Sequence, residues 1–263
     1  MASRASSPRL RPAPSSSSMK VLNIVLLLGA AVAPQASMQL RGQPCQPHSQ
    51  PWQAAIFDRS RYNCGATLIS NTWVLTAAHC HTGAIHVRLG KHSLYTHEST
   101  EQYKAVSKII THPGYNYTNH SNDIMLLKLQ TPAQLNAYVQ PLGLASHCVA
   151  PGKQCSVSGW GNTINAPENV SIILYCTKVL TISEEECAAT FPGHVNGNML
   201  CAGLEGGGTD SCEGDSGGPL VCDGKLQGVV SWGDVPCIST LKPSVYMNVC
   251  KYYNWLTATM WEN

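Results

Sequence analysis

Phenylalanine and charge are both scarce in this chain. It has only 2 Phe, and charged residues make up 12% with a net charge of +2. So little charge argues against a nucleic-acid or polyanion partner. No two cysteines stand in a CxxC pair, which argues against a zinc site, and no metal or other cofactor is expected. Beyond residue 33 no stretch is long and apolar enough to span a bilayer, so no membrane partner is expected either. The opening 18 residues contain no acid and are built of Arg, Pro and Ser, which reads as a disordered extension or an upstream start.

What is present points outward from the cell. Met19-Lys20 precedes an apolar run from Val21 to Ala33, broken only by Asn23, with the basic start and short hydrophobic core of a secretory signal. Pro34 disfavours cleavage directly after Ala33, so 19–37 is taken as the signal region and 38–44 as a separate segment before the folded domain, 45–263. Twelve cysteines, an even number running from Cys45 to Cys250, suit oxidised pairs in a secreted, extracellular protein. The apolar residues come in short runs broken by 22 Gly and 16 Pro, a pattern of many strands and turns.

Twelve such runs are expected as strands. In the first half they are Gln53–Phe57, Gly65–Ile69, Trp73–Thr76, Ile85–Leu89, Tyr103–Ile110 and Ile124–Leu129. In the second they are Cys155–Trp160, Ile172–Leu180, Met199–Gly203, Pro219–Cys222, Leu226–Trp232 and Ser244–Met247. They suggest an all-β chain of two barrels or sandwiches. Tyr252, Trp255, Leu256, Thr259 and Met260 share one face at helical spacing, which predicts a docking C-terminal helix.

The stretch Thr209 to Pro219, TDSCEGDSGGP, carries the chemistry. Its glycines permit a tight turn that exposes the Ser216 hydroxyl, with the N–H groups of Gly214 and Ser216 facing one oxygen as an oxyanion hole. A serine hydroxyl needs a base and an orienting acid. His79 follows the apolar run Trp73–Thr76, and Asp123 opens Ile124–Leu129. The order His, Asp, Ser, each at a strand edge, is one known solution to the triad geometry.

The strings TAAHC, NDIMLLKL, SGWG and GDSGGPLVC closely resemble those of the chymotrypsin-like serine peptidases. Gln46 to Gln53, together with Lys251, Tyr252 and Trp255, resembles the kallikrein-related branch. The likeness runs from about Cys45 to the C-terminus. It implies two six-stranded antiparallel β-barrels with the active site between them. His79 would be the general base, Asp123 would fix its tautomer and Ser216 would attack the carbonyl. Ser231 would support Asp123, and the backbone of Ser231, Trp232 and Gly233 would pair with an extended substrate. Asp210, with Ser211 beside it, matches the acid of pockets that take Arg or Lys. Protein or peptide substrates follow, with serpin or Kunitz-type inhibitors as partners of a monomer.

The family also implies the disulfides: Cys45 with Cys176, Cys64 with Cys80, Cys148 with Cys250, Cys155 with Cys222, Cys187 with Cys201, and Cys212 with Cys237. Each is typically worth ~2 to 4 kcal/mol. Ser244 stands where most trypsin-like relatives have glycine. It either crowds the pocket, at a cost of ~1 to 3 kcal/mol, or hydrogen-bonds Asp210 with little effect. Glu213 reads as a charge at the pocket rim or as a solvated surface acid. Lys91 replaces an acid of the family's calcium loop, which keeps Glu98 and Glu101, and a cation there argues against calcium. His120, three residues before Asp123, reads as a subsite wall, with zinc between two imidazoles as the alternative. Asn116, Asn119 and Asn169 head three glycosylation sequons, the first two in the loop before Asp123.

One departure divides the functional readings. Active relatives begin with Ile or Val six residues before the cysteine matching Cys45, and the freed amine pairs with the acid matching Asp215. Here residues 38–45 read MQLRGQPC, without that motif. The chain is thus expected to be a secreted serine endopeptidase with preference for Arg or Lys. The alternative is a catalytically silent or zymogen-like binding protein on the same scaffold.

Overall fold

The computed structural model describes residues 42–163, 166–204, 215–233 and 242–263. After the two-residue strand β1 (Gln43–Pro44), six strands close a barrel. They are β2 (Gln53–Asp58), β3 (Arg61–Leu68), β4 (Trp73–Thr76), β5 (Ile85–Leu89), β6 (Gln102–Thr111) and β7 (Met125–Leu129), in spatial order β2-β3-β4-β7-β6-β5.

A second set follows: β8 (Gln154–Gly159), the small hairpin β9 (Asn162–Thr163) and β10 (Ala166–Val170), β11 (Tyr175–Ile182), β12 (Met199–Gly203), β13 (Pro219–Cys222), β14 (Lys225–Trp232) and β15 (Ser244–Asn248). The order β11-β12-β15-β14-β13-β8 is closed by six residue pairs between β8 and β11, from Tyr175 with Gly159 to Leu180 with Gln154. The chain therefore forms two closed six-stranded antiparallel barrels, with β1 added at the edge of the second.

Strand β2 explains how the barrels adhere. Side chains alternate across a strand, so Ala54 and Ile56 join the main core while Ala55 and Phe57 point the other way, into a cluster with Trp160 and Leu174. Both faces are dry. Burying a residue such as Ile56 or Phe57 contributes roughly 1.5–3 kcal/mol. The polar residue that opens this strand is also used across the junction: buried Gln53 accepts a 2.7 Å hydrogen bond from Ser158 Oγ of the second barrel.

All twelve expected strands form, with shifted ends. β3 starts four residues earlier than Gly65, because Arg59 (φ 55°) turns the chain back directly and the exposed Arg61 already pairs with Asp58. β11 starts three residues after Ile172, because 172–174 bonds instead to the 92–94 segment, through Leu94 N–H to Ile172 and Leu174 N–H to His92. The C-terminal helix α2 covers Val249–Glu262 and buries Val249, Tyr252, Leu256 and Thr259. A helix not expected from the sequence, α1 (Glu184–Thr190), is capped by Ser183, which accepts from the Glu186 N–H at 3.1 Å.

Five of the six disulfides implied by the family are formed: Cys45–Cys176, Cys64–Cys80, Cys148–Cys250, Cys155–Cys222 and Cys187–Cys201. Cys212 and Cys237 lie outside the described residues. So do 1–41, and with them the disordered extension, the signal region and most of the segment before Cys45.

Candidate active site

His79 sits in a single 3₁₀ turn, Ala78–Cys80, directly after β4. Asp123 lies two residues before β7, and β4 and β7 pair Thr76 with Met125. This register delivers acid and imidazole to the same end of the first barrel. Asp123 is fully buried. Its Oδ1 accepts the His79 backbone N–H at 2.8 Å and its Oδ2 lies 2.6 Å from His79 Nδ1. A carboxylate can only accept, so the ring proton sits on Nδ1 and Nε2 is left as the basic nitrogen.

The second barrel supplies a third bond. Ser231 Oγ donates to Asp123 Oδ2 at 2.5 Å. β14 and β15 pair Val230 with Tyr246 and Trp232 with Val245, leaving Ser231 at a register irregularity. Such a bulge re-aims a side chain, and here it turns Ser231 to the carboxylate. Burial pushes the Asp123 carboxyl up, but His120 and His79, the His79 charge and the Ser231 bond more than offset it and hold the group well below the usual carboxylate range. His120 Nδ1 is 3.7 Å from Oδ2, too long for a formed hydrogen bond, so this ring stands beside the carboxylate without bonding it.

Ser216 begins the turn that leads into β13. Its carbonyl accepts the Gly65 N–H at 2.8 Å, and Gly217 donates to Val230 at 2.8 Å. Gly217 has φ 78°, and a Cβ on it would fall 2.1 Å from Thr76 Oγ1. Thr76 Oγ1 in turn donates to the Gly65 carbonyl at 2.9 Å. The serine turn is thus seated on β3 and β4, the strands that lead to His79. Cys64, the neighbour of Gly65, is bridged to Cys80, the neighbour of His79. Asn63 Nδ2 also donates to the Cys80 carbonyl at 2.8 Å.

Asp215 is 6% exposed and its Oδ1 accepts the Gly161 N–H at 2.7 Å. Gly159 and Gly161 are required here, since a Cβ on either would meet the carboxylate within 2.4 Å or less. A small cavity beside it is lined by Gly42, Val157, Gly159, Tyr175, Cys176, Thr177 and Asp215. Burial and the Asp215 charge push the Tyr62 phenol well up.

Of the residues expected to line the pocket, Ser231 and Ser244 are buried while Trp232 and Gly233 are half-buried. A Cβ on Gly233 would stand 3.9 Å from Ser244 Oγ, so these two residues face each other. Asp210, Ser211, Glu213 and Gly214 lie outside the described residues. Asn116 and Asn119 are exposed, their side-chain oxygens accepting the N–H of Thr118 and Ser121 at 2.9 and 3.0 Å. The Asn169 side chain is outside the description.

His79, His120 and Asp123 bring one possible ligand atom each within 4.8 Å of one another. Asp123 Oδ2 already accepts from His79 and Ser231, and the Nδ1 of His79 holds a proton, so the set is organised as a hydrogen-bond network. Around Lys91 the order is ionic: the buried ammonium donates to the Thr96 carbonyl at 2.6 Å and to Glu101 at 2.9 Å, with Glu98 at 3.3 Å.

Sequence reading missed the residues that hold Asp123 from behind. Asn122 (φ 54°) donates to the Gly114 carbonyl at 2.9 Å, and its Oδ1 accepts from the Tyr252 hydroxyl at 3.1 Å. Only the asparagine's tolerance of left-handed backbone hinted at this role.

The Trypsin family model matches residues 39–256. Human kallikrein-15 is 48% identical over 253 residues, covering 92% of this chain and 99% of that protein. Human kallikrein-8 is 46% identical over 253 residues, covering 94% and 96%. Among solved structures, neuropsin, a serine protease expressed in the limbic system of mouse brain, superposes with a TM-score of 0.79 at 47% identity, covering 83% of this chain and 98% of that one. With this fold and these relatives, the chain belongs to the trypsin family as a kallikrein-related serine endopeptidase.

Proposed function

We propose that this endopeptidase is secreted and cleaves after Arg or Lys, with His79, Asp123 and Ser216 as its triad. The observation that carries the reading is the Asp123 carboxylate, which grips His79 at both backbone and ring and is itself gripped by Ser231. His79 Nε2 takes the proton of Ser216 Oγ as that oxygen attacks the substrate carbonyl, and Asp123 stabilises the imidazolium that forms. The N–H groups of Gly214 and Ser216 receive the oxyanion. His79 then returns the proton to the leaving amine, and water hydrolyses the acyl-enzyme by the same steps reversed. No cofactor enters this scheme.

The Arg or Lys preference rests on Asp210, with Ser244 facing Gly233 as the feature that narrows the pocket. Secretion rests on the apolar run Val21 to Ala33 and on ten cysteines in five bridges. Among the described residues no helix is long and apolar enough to cross a membrane. Residues 19–37 then serve as the signal, 38–44 as an unusual activation segment and 45–263 as the peptidase domain, working as a monomer under serpin or Kunitz-type control.

The sequence MQLRGQPC before the domain supports a second reading, a zymogen-like or silent binding protein. N-terminal mass spectrometry of the secreted chain, with active-site titration by an arginine-directed serine-reactive probe, separates the two. Stoichiometric labelling of Ser216 with a free amine able to reach Asp215 supports the peptidase. No labelling, on a blocked or misplaced N-terminus, supports the binder.

A further inference from the structure

The Asp123 carboxylate faces two imidazoles. His79 and His120 stand edge to face with ring centroids 5.9 Å apart. His120 Nδ1 is buried, has no hydrogen-bond partner among the described residues, and lies 3.7 Å from the same Oδ2 that His79 and Ser231 already use. An oxygen of a carboxylate offers about two acceptor positions. Both on Oδ2 are taken, so His120 can close to bonding distance only by displacing one of the two donors. His120 has φ 55°. The loop carrying it is closed by the Asn116 N–H bonding to the Ser121 carbonyl at 3.0 Å.

We propose that His120 is a positioning residue that contests the Asp123 carboxylate with His79, so that a proton gained by His120 weakens the His79 base. The inference rests on the triad reading above. The added proton makes His120 a cation, which Asp123 attracts at the expense of the His79 Nδ1–H bond. It also sets a positive charge beside the imidazolium that must form on His79 during catalysis. Both effects act in one direction. Of the other described groups around this carboxylate, Ser231 and His79 bond it directly. Tyr115 and Tyr252 have phenols pushed up first by burial and then by the Asp123 charge, so both stay neutral as His120 titrates. Among the described residues Asp123 is therefore the one anion available to both rings.

The test compares the full chain with His120→Leu and His120→Gln, in a chelator so that no metal bridges the rings. On the acid side, log(kcat/KM) of the parent is expected to fall more steeply than a slope of one over the range in which His120 gains its proton. Both variants should fall with a slope of one and, relative to their own plateaus, retain about tenfold more activity at pH 5.5, a factor expected for like charges about 6 Å apart after screening. A mere packing role would alter the plateau and leave the slope alone.

His79 Cε1–H resonances, assigned by their loss in His79→Ala, give a second readout that does not need activity. Two coupled steps in the parent and one in His120→Leu support the inference even if the parent proves inactive, a result that would sink the triad reading alone. Superimposable normalised profiles, a parent slope of one, or a Gln variant that keeps the parent's shape would each overturn it.

Discussion

The Tyr252 hydroxyl donates to Asn122 Oδ1 at 3.1 Å across 130 residues of sequence, tying the C-terminal helix to the residue that precedes Asp123. Asn122 Nδ2 is meanwhile spent on the Gly114 carbonyl, and Asn198 reaches Oδ1 at only 3.4 Å. Tyr252 is thus the better of the two donors to this oxygen, and α2 acts as a prop for the segment that carries Asp123 as well as a lid on the core. Tyr252→Phe keeps the ring in its contact with His112 and removes only the donor. It should lower stability by about 1 kcal/mol and lower kcat a few-fold, with KM nearly unchanged. A urea midpoint and kcat both equal to the parent's would mean that the helix does not support Asp123.

Gly217 and Gly152 share nearly the same backbone, φ 78° and 74°, but not the same surroundings. A Cβ on Gly217 would meet Thr76 Oγ1 at 2.1 Å and the Gly65 carbonyl oxygen at 2.4 Å, the two ends of one hydrogen bond, whereas nothing lies within 4 Å of a Cβ on Gly152. Gly152→Ala should therefore cost only the left-handed backbone penalty, about 1 kcal/mol. Gly217→Ala should cost clearly more and abolish activity, because the serine turn must lift off β3 and β4. Equal losses for the two variants, read by chemical unfolding, would show that the turn has slack.

Acid should destabilise the fold in two stages. Burial lowers the affinity of His112 for its second proton, and its Nδ1 accepts the Gly114 N–H at 3.1 Å. The unfolded chain then binds more protons than the folded one below the ordinary histidine value of about 6.5. By linkage, stability present above that value is lost as pH falls through the lowered folded one. His86 and His92, also lowered by burial, act in the same direction. Asp123 gives the second stage: its depressed carboxyl contributes stability above about pH 4, withdrawn only in stronger acid. His112→Phe should make the unfolding midpoint less steep between pH 7 and 5, since one of the three protons no longer couples. An unchanged slope would remove His112 from the account.

Much of this was legible before the structure, for reasons that differ by element. The twelve strands announce themselves because each is a short apolar run ended by turn residues. The strands β1 and β9, two residues each, are too short to carry a pattern, and β10, APENV, has Pro, Glu and Asn in place of an apolar run. α1 buries only Cys187, so it has no apolar stripe to read, although Ser183 followed by Glu186 is a capping signature that was present in the sequence. The disulfides could not be paired from spacing and came from resemblance alone. Asn122 and Gly65 stayed hidden because their roles are set by contacts with residues 130 and 151 positions away, Tyr252 and Ser216, and the only local mark is the tolerance of Asn122 for left-handed backbone.

Lys91 offers the sharpest test of a loop that gathers oxygens around an ammonium. Its side chain is fully buried, Glu98 and Glu101 are partly exposed at 17% and 12%, and three oxygens converge on Nζ within 3.3 Å. Removing one partner of a buried pair leaves charge uncompensated, at a typical cost of about 3–5 kcal/mol. Arg88, 3.5 Å from Glu101, and the N–H groups of His92 and Ser93, bonded to Glu98, take up part of that charge. Lys91→Met should accordingly lose about 3 kcal/mol, at the lower end of that range, and a second change, Glu101→Gln, should recover part of it. In Lys91→Met alone, two carboxylates and the Thr96 carbonyl would form a set of hard oxygens around an empty space, the donor type that calcium prefers. Millimolar calcium should raise the unfolding midpoint of Lys91→Met and leave the parent's unmoved. If calcium stabilised the parent equally, or if Lys91→Met unfolded at the parent's midpoint, the ammonium would not be what organises this loop.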